Sequence, residues 1–451
     1  MSVTKPLLQR ALKNRHIQLM VLGGSIGTGL FLGLAEVVQL AGPAVIIGYA
    51  IGGAIAFLIA RQLGEMIVHE PVSGSFGHFA NKYWGEFPGF LAGWTYWFAW
   101  VLGAMVELTA IGIFIQFWWP EIPTWQSALV FFVLVNSANL LSVKYFGELE
   151  FWFALIKILA IIGMILFGAY LLISGAAGPE ANVANLWRYG GFMPHGWHGL
   201  FLAMAIIMFS FAGLELIGVT AAEADQPEKI IPKAINQVAY RILIFYIGAL
   251  LILFSLYPWT KIGAGGSPFV LIFSHLGSNF AANALNIVVL TAALSVCNSG
   301  VYTNSRMLLS LAKQGFAPTA FGQLSSQGIP VRAIALSAGL TFLVVVVNYI
   351  LPTDALMILM SLIMSMLIIS WAMISLSHLK FRAANQRTGA KVSFPVFWFP
   401  WTNYLCLAFL GLLLCAMWFN PVSRLATIFI PIWIILIWSF YRFIFERKIS
   451  T

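Results

Sequence analysis

The chain has 451 residues, of which 61% are hydrophobic and only 9% charged, with a formal net charge of +9. Soluble domains carry about 25% charged residues, so this composition, with a mean hydropathy of +0.91, excludes a soluble globular protein and implies an integral membrane one. Positive charge can signal nucleic acid, but its placement here follows membrane topology, and no nucleic-acid partner is expected. Cys297, Cys406 and Cys415 lie in apolar runs without CxxC spacing, which indicates neither a disulfide framework nor a metal site.

In chain order, residues 1–16 are polar and basic and read as a cytosolic tail without a cleavable signal. Apolar runs near the 20-residue length of a spanning helix then recur at 17–38, 43–67, 88–117, 125–143, 151–174 and 198–222. A second six follow at 238–259, 280–305, 333–351, 355–378, 401–419 and 425–443, with 444–451 left as a second tail. Segments 3 and 8 can be longer and tilted. Twelve spans put both termini on one side. With that side cytosolic, twenty of the 24 lysines and arginines lie inside, only Arg188, Lys261 and Arg424 lie outside, and Lys157 stays within a span. So lopsided a distribution sets the orientation by the positive-inside rule. Trp118, Trp119 and Pro120, and Tyr257, Pro258 and Trp259, mark outer interfaces.

Span 1 contains four glycines between Gly23 and Gly29. Each weakens a helix interior by roughly 1 kcal/mol relative to Ala. Freed backbone groups at membrane depth need a polar partner, so the run predicts a helix opened where a ligand binds. Close helix packing is the alternative for an isolated glycine cluster. Span 6 has a matching weak point from Phe209 to Gly218, with Glu215 inside it, and it runs in the opposite direction. Paired interrupted helices in oppositely oriented halves point to an inverted-repeat transporter with a midplane site. The expected fold is an all-α membrane protein of 12 helices, a 5+5 inverted repeat with broken helices 1 and 6. Repeat one covers 17–174, repeat two 198–378, and two helices over 401–443 are appended, all in one transporter domain.

Several stretches resemble a known group. These are Leu12-Lys13-Asn14-Arg15-His16-Ile17, Gly147-Glu148-Leu149-Glu150-Phe151-Trp152-Phe153, the run from Phe209 to Ala234 that includes Glu223-Ala224-Asp225-Gln226-Pro227-Glu228-Lys229, and Asn298-Ser299-Gly300-Val301-Tyr302-Thr303-Asn304-Ser305-Arg306. Over nearly its whole length the chain resembles the amino acid permeases of the amino acid–polyamine–organocation superfamily, which have the LeuT-like fold, and within them the bacterial aromatic amino acid permeases. Permeases for proline, histidine, lysine or 4-aminobutyrate share most of these motifs.

The resemblance implies that the substrate carboxylate meets N–H groups around Thr28 and Gly29. The ammonium meets carbonyls near Ser25 and near Phe209 and Ala212, and Ile26 and Gly27 belong to the same substrate-binding stretch. An opened helix supplies both polarities from backbone. Phe209 matches the family's aromatic that closes over the substrate; on spacing alone it is equally a core residue. Ser295, Cys297, Ser299 and Gly300 on span 8 leave volume for a ring. In proton-coupled relatives a lysine at the place of Lys157 occupies the sodium site of sodium-coupled ones, so Lys157 is expected to carry proton coupling, with H+ and not sodium as coupling ion. Lys157 lies about 9 Å deep at 1.5 Å per residue, so snorkelling is the plainer reading.

Glu107 and Glu215 lie well inside spans and serve either in a proton relay or as polar supports bonded to neighbouring helices. Glu36, Glu65 and Glu70 read as interfacial, the seven histidines as span-end or loop residues, and the inner loop Glu223–Lys233 as a solvated connection to which the resemblance adds a gating role. No HExxH, Ser/His/Asp set or P-loop occurs, so neither enzymatic activity nor ATP coupling is expected. The chain thus reads as an inner-membrane amino acid importer, a monomer or weak homo-oligomer in contact with lipid and without a cofactor. An exchanger, a nutrient sensor and, least of all, a channel are the competing readings.

Overall fold

A computed structural model describes residues 27–72, 75–140, 143–220, 226–263, 266–326, 328–389 and 392–449. Among these residues every regular element is a helix and no strand occurs. Nine helical stretches are long and apolar enough to cross a membrane, among them Glu86–Gln116, Glu150–Ser174, Asn279–Lys313 and Ala355–Thr388. Where they are described, the predicted apolar segments fall mostly on helical residues. The first two form one stretch, Gly33–His69, jointed at Gly42, whose φ of +58° is a backbone state that glycine adopts at little cost.

Helix Glu86–Gln116 stands at the centre. It is apolar on every side, as a helix enclosed by others must be, and 83% of its most apolar window is buried, against 22% for Glu150–Ser174 and for Pro421–Phe443. The latter two therefore form the outer wall, where side chains such as Leu166, Ile173 and Leu425 remain exposed to be covered by lipid. The 31, 35 and 34 residues of Glu86–Gln116, Asn279–Lys313 and Ala355–Thr388 exceed what an upright span needs, so the longer reading of segments 3 and 8 holds.

The inner connection is helical from Pro227 onward, because proline at the first helical position is pre-set for the turn and lacks an N–H that would go unpaired there. Its Glu228, Lys229 and Lys233 are exposed, in keeping with a solvated connection. Two expectations are corrected. Glu65 is fully buried, not interfacial. His378 is also fully buried, because its helix continues ten residues past the predicted span end, to Thr388.

The predicted break in span 6 is present. Helix Gly196–Phe209 ends, residues 210–215 form turns held by i→i−3 bonds such as Ala212 N–H to Phe209 O at 3.0 Å, and helix resumes at Leu216–Thr220. Gly213, at φ +92°, turns the chain where a Cβ would be strained. Sequence reading missed a second irregularity, the wide π-turn over Ile242–Gly248. It carries Tyr246, whose hydroxyl donates to Ser210 O at 2.7 Å and so takes up a carbonyl at the break; π-turns often mark functional positions.

Candidate functional site

The described end of the first weak point, Gly27–Gly29, meets the second; the rest of it lies outside the described residues. Helix Thr28–Phe31 follows Gly27, and a Cβ built on Gly29 would lie 2.8 Å from Ser210 Cα and 2.9 Å from Phe209 Cδ1. Only a glycine at 29 allows the two backbones this close. Tyr49 and Tyr246 stack at 5.2 Å behind Ser210, and the Tyr49 hydroxyl lies 3.1 Å from Ser210 Oγ.

In front of this junction is a cavity. Its floor and ends come from Gly27, Thr28, Gly29, Phe209, Ser210, Ala212 and Gly213. Helix Glu86–Gln116 contributes Tyr96, Trp100 and Glu107, and Val296, Ile363 and Leu367 complete the apolar wall. Glu215 borders it beside the second break. None of the described lining residues is lysine, arginine or histidine, so no cation waits there for an acidic side chain.

Both carboxylates are buried and held by donors. Glu107 Oε2 accepts the Thr28 hydroxyl at 2.5 Å, and Oε1 faces the Thr28 N–H at 3.4 Å. Glu215 Oε2 accepts the Gly213 N–H at 3.0 Å and Oε1 accepts the Trp371 indole N–H. Glu215 therefore braces the opened turn, one of the two roles read from sequence. Of the predicted residues, the structure gathers Gly27, Thr28, Gly29, Phe209, Ala212, Glu107 and Glu215 around one cavity. Ser25 and Ile26 lie outside the described residues, as does 221–225 of the inner loop. Gly300 is not on the wall. It sits behind Trp100, where an added Cβ would approach Trp100 Cε3 to 3.3 Å, so it makes room for the indole that does line the cavity.

Lys157 is fully buried, which removes the snorkelling reading, and it is off the cavity wall. Its ammonium donates to Ser295 Oγ at 3.0 Å. Ser295 donates in turn to Glu150 Oε2 at 2.7 Å. Sequence reading missed Glu150 as a buried carboxylate because it lies at a predicted span end; its spacing of seven residues from Lys157, which puts both on one helix face, was the available signal. Tyr96 and Trp100 were missed because aromatic residues are common throughout such chains.

A cavity where the chain at Gly27–Gly29 meets an interrupted helix, inside an apolar helical bundle, fits the architecture of a membrane solute carrier. The amino acid permease family matches residues 16–451, and the chain belongs to that family. It is 61% identical over 430 residues to the aromatic amino acid transport protein AroP of Salmonella typhimurium strain SL1344, covering 95% of this chain and 94% of the relative. Against AroP of Escherichia coli K12 it is 60% identical over 436 residues, 97% and 95% of the two chains. An uncharacterized amino acid permease of Bacillus subtilis, YtnA, is 46% identical over 446 residues, 98% and 96% of the two.

Proposed function

We propose that this permease imports aromatic amino acids across the bacterial inner membrane by proton symport and alternating access. The observation that carries the reading is the cavity where Gly29 meets Ser210: backbone from Gly27–Gly29 and from the break at 210–215 at one end, and Tyr96, Trp100 and Phe209 around the rest. The breaks recognise the zwitterionic part common to all amino acids, with Thr28 and Gly29 taking the carboxylate and carbonyls near Ser25, Phe209 and Ala212 the ammonium. The aromatic, cation-free wall suits a ring. The names of the relatives at 60–61% identity support the same substrate class. Twelve spans, a 5+5 inverted repeat and cytosolic termini are the framework, supported by the charge distribution and the paired breaks.

Coupling is assigned to Lys157, with Glu107 linking it to the site. A buried ionisable residue within a span is costly to retain without a role, and a tethered ammonium there disfavours sodium. The test is labelled phenylalanine uptake into proteoliposomes driven by a pH gradient. Lys157→Gln should abolish accumulation while retaining counterflow exchange, and normal accumulation by that variant overturns the coupling role. A permease for another neutral amino acid is the second reading, since the breaks recognise only the generic part. Competition by tryptophan and tyrosine but not proline or lysine supports the first reading, and the reverse pattern the second. Uptake into vesicles free of internal amino acid excludes an exchanger.

A further inference from the structure

Lys157 is enclosed and off the wall of the cavity, so a coupled proton needs a path away from it. Two helix stripes supply one. Glu150 and Lys157, seven residues apart on helix Val143–Ser174, share a face, and Ser295 and Asn298, three apart on helix Asn279–Lys313, face them. Lys157 Nζ donates to Ser295 Oγ at 3.0 Å and Ser295 donates to Glu150 Oε2 at 2.7 Å. The other oxygen, Glu150 Oε1, accepts from Asn298 Nδ2 at 3.1 Å, and Asn298 Oδ1 is itself held by Asn139 Nδ2 at 2.8 Å. Glu150 is 1% exposed. It lies two helical turns, about 10 Å, from Lys157 along the axis, toward the end that the proposed function places at the cytosol.

The Ser295 hydroxyl, which can donate and accept at once, accepts from Lys157 and donates to Glu150 and so joins the two in one chain of bonds. We propose that Ser295 and Glu150 form the proton exit from Lys157, an inference that rests on the proton-symport reading. A proton leaves Lys157 Nζ for Ser295 Oγ as the Ser295 hydroxyl proton moves to Glu150 Oε2. This leaves a neutral amine and a carboxylic acid, and Glu150 then releases the proton toward the cytosol. Asn298 and Asn139 hold the carboxylate in line. The other titratable groups facing this cluster are engaged elsewhere or lie off the chain of bonds. Glu107 is bonded to Thr28, Tyr246 to Ser210, and the Cys297 thiol faces Ala104 O at 3.9 Å. On the same helix, Glu148 is half-buried.

The experiment compares wild type, Glu150→Gln, Ser295→Ala and Ser295→Thr in proteoliposomes. Its readouts are pH-gradient-driven phenylalanine accumulation and the pH profile of phenylalanine counterflow. Ser295→Ala and Glu150→Gln should lower the ratio of accumulation to counterflow by about tenfold or more, the low end of what a positioned proton-transfer group contributes, and flatten the counterflow pH profile. Ser295→Thr keeps the hydroxyl and should restore both. Wild-type ratios in Ser295→Ala overturn the relay while leaving symport standing. Equal loss of accumulation and counterflow in Ser295→Ala without rescue by Ser295→Thr assigns the cluster to packing and also overturns it. Absence of pH-driven accumulation in wild type overturns symport itself, and the relay with it.

Discussion

The Thr28 hydroxyl donates to Glu107 Oε2 at 2.5 Å, and the Thr28 backbone N–H faces the other oxygen of the same carboxylate at 3.4 Å. On the proposed function this side-chain carboxylate sits beside the N–H groups that would take the substrate carboxylate, and the two would compete. Protonating Glu107 removes an anion from the contest, so substrate binding should strengthen as pH falls, by at most about tenfold per pH unit for a single proton. Glu107→Gln should bind phenylalanine with a flat pH profile. Calorimetric or scintillation-proximity binding between pH 5 and 8 checks this; an unchanged slope in the variant removes Glu107 from the competition.

Gly29 is where a single methyl should do most harm. An added Cβ would meet Ser210 Cα at 2.8 Å, which is backbone and cannot rotate aside. Overpacking of this kind costs typically about 1–3 kcal/mol. Here it also separates the two halves of the site, so Gly29→Ala should lose phenylalanine uptake by more than tenfold while still reaching the membrane. At Gly27 the nearest atoms are side chains, Glu107 Oε1 at 3.0 Å and Val296 Cγ2 at 3.1 Å, and Gly27→Ala should be milder. Uptake normalised to surface amount measures both.

On the proposed function, Gly300 would act on substrate size through Trp100. Branched bulk at 300 would push on an indole whose Cε3 would already lie 3.3 Å from a simple Cβ and which lines the cavity. Gly300→Val should raise the inhibition constant for tryptophan more than that for phenylalanine, by a few-fold or more. Equal effects on both would place the pressure elsewhere.

Glu215 holds the opened turn in shape. Glu215→Ala strands the Gly213 N–H and the Trp371 indole N–H, at about 1–3 kcal/mol for each buried donor. Glu215→Gln keeps one acceptor, and Trp371→Phe removes one donor and leaves the Gly213 bond. Thermal stability of the detergent-solubilised protein should therefore fall most in Glu215→Ala, and transport should fall with it.

A further buried carboxylate ties the far end of the bundle together. Glu65 Oε2 accepts the Val396 N–H at 2.5 Å and lies 3.2 Å from His378 Nε2, while Oε1 lies 3.1 Å from Arg382 Nε. Removing one partner from such a buried group costs about 3–5 kcal/mol because the others stay buried and uncompensated. Glu65→Ala should lower the melting temperature more than any conservative change at this position, with Glu65→Gln intermediate. A melting temperature unchanged by Glu65→Ala would show that the cluster contributes nothing to stability.

The membrane character, the glycine-weakened segments and the identity of Lys157, Glu107 and Glu215 as ionisable residues within spans were all legible in the chain itself. Each is a local property: apolar run length, helix propensity, or a charge flanked by apolar neighbours. What those residues touch was not legible. Glu65 read as interfacial, and Glu150 was passed over, because distance from a span end says how deep a residue lies along its own helix and nothing about what covers it. Gly300 read as part of the wall because spacing cannot show that Trp100 stands in front of it. Tyr246 faces Ser210 only because a π-turn rotates it there. The approach of Gly29 to Ser210, the Ser295 hydroxyl between Lys157 and Glu150, and the cation-free aromatic wall all join residues far apart in the chain. Only packing decides such partners, since an apolar span can satisfy its own backbone in many arrangements but bury its few polar side chains in very few.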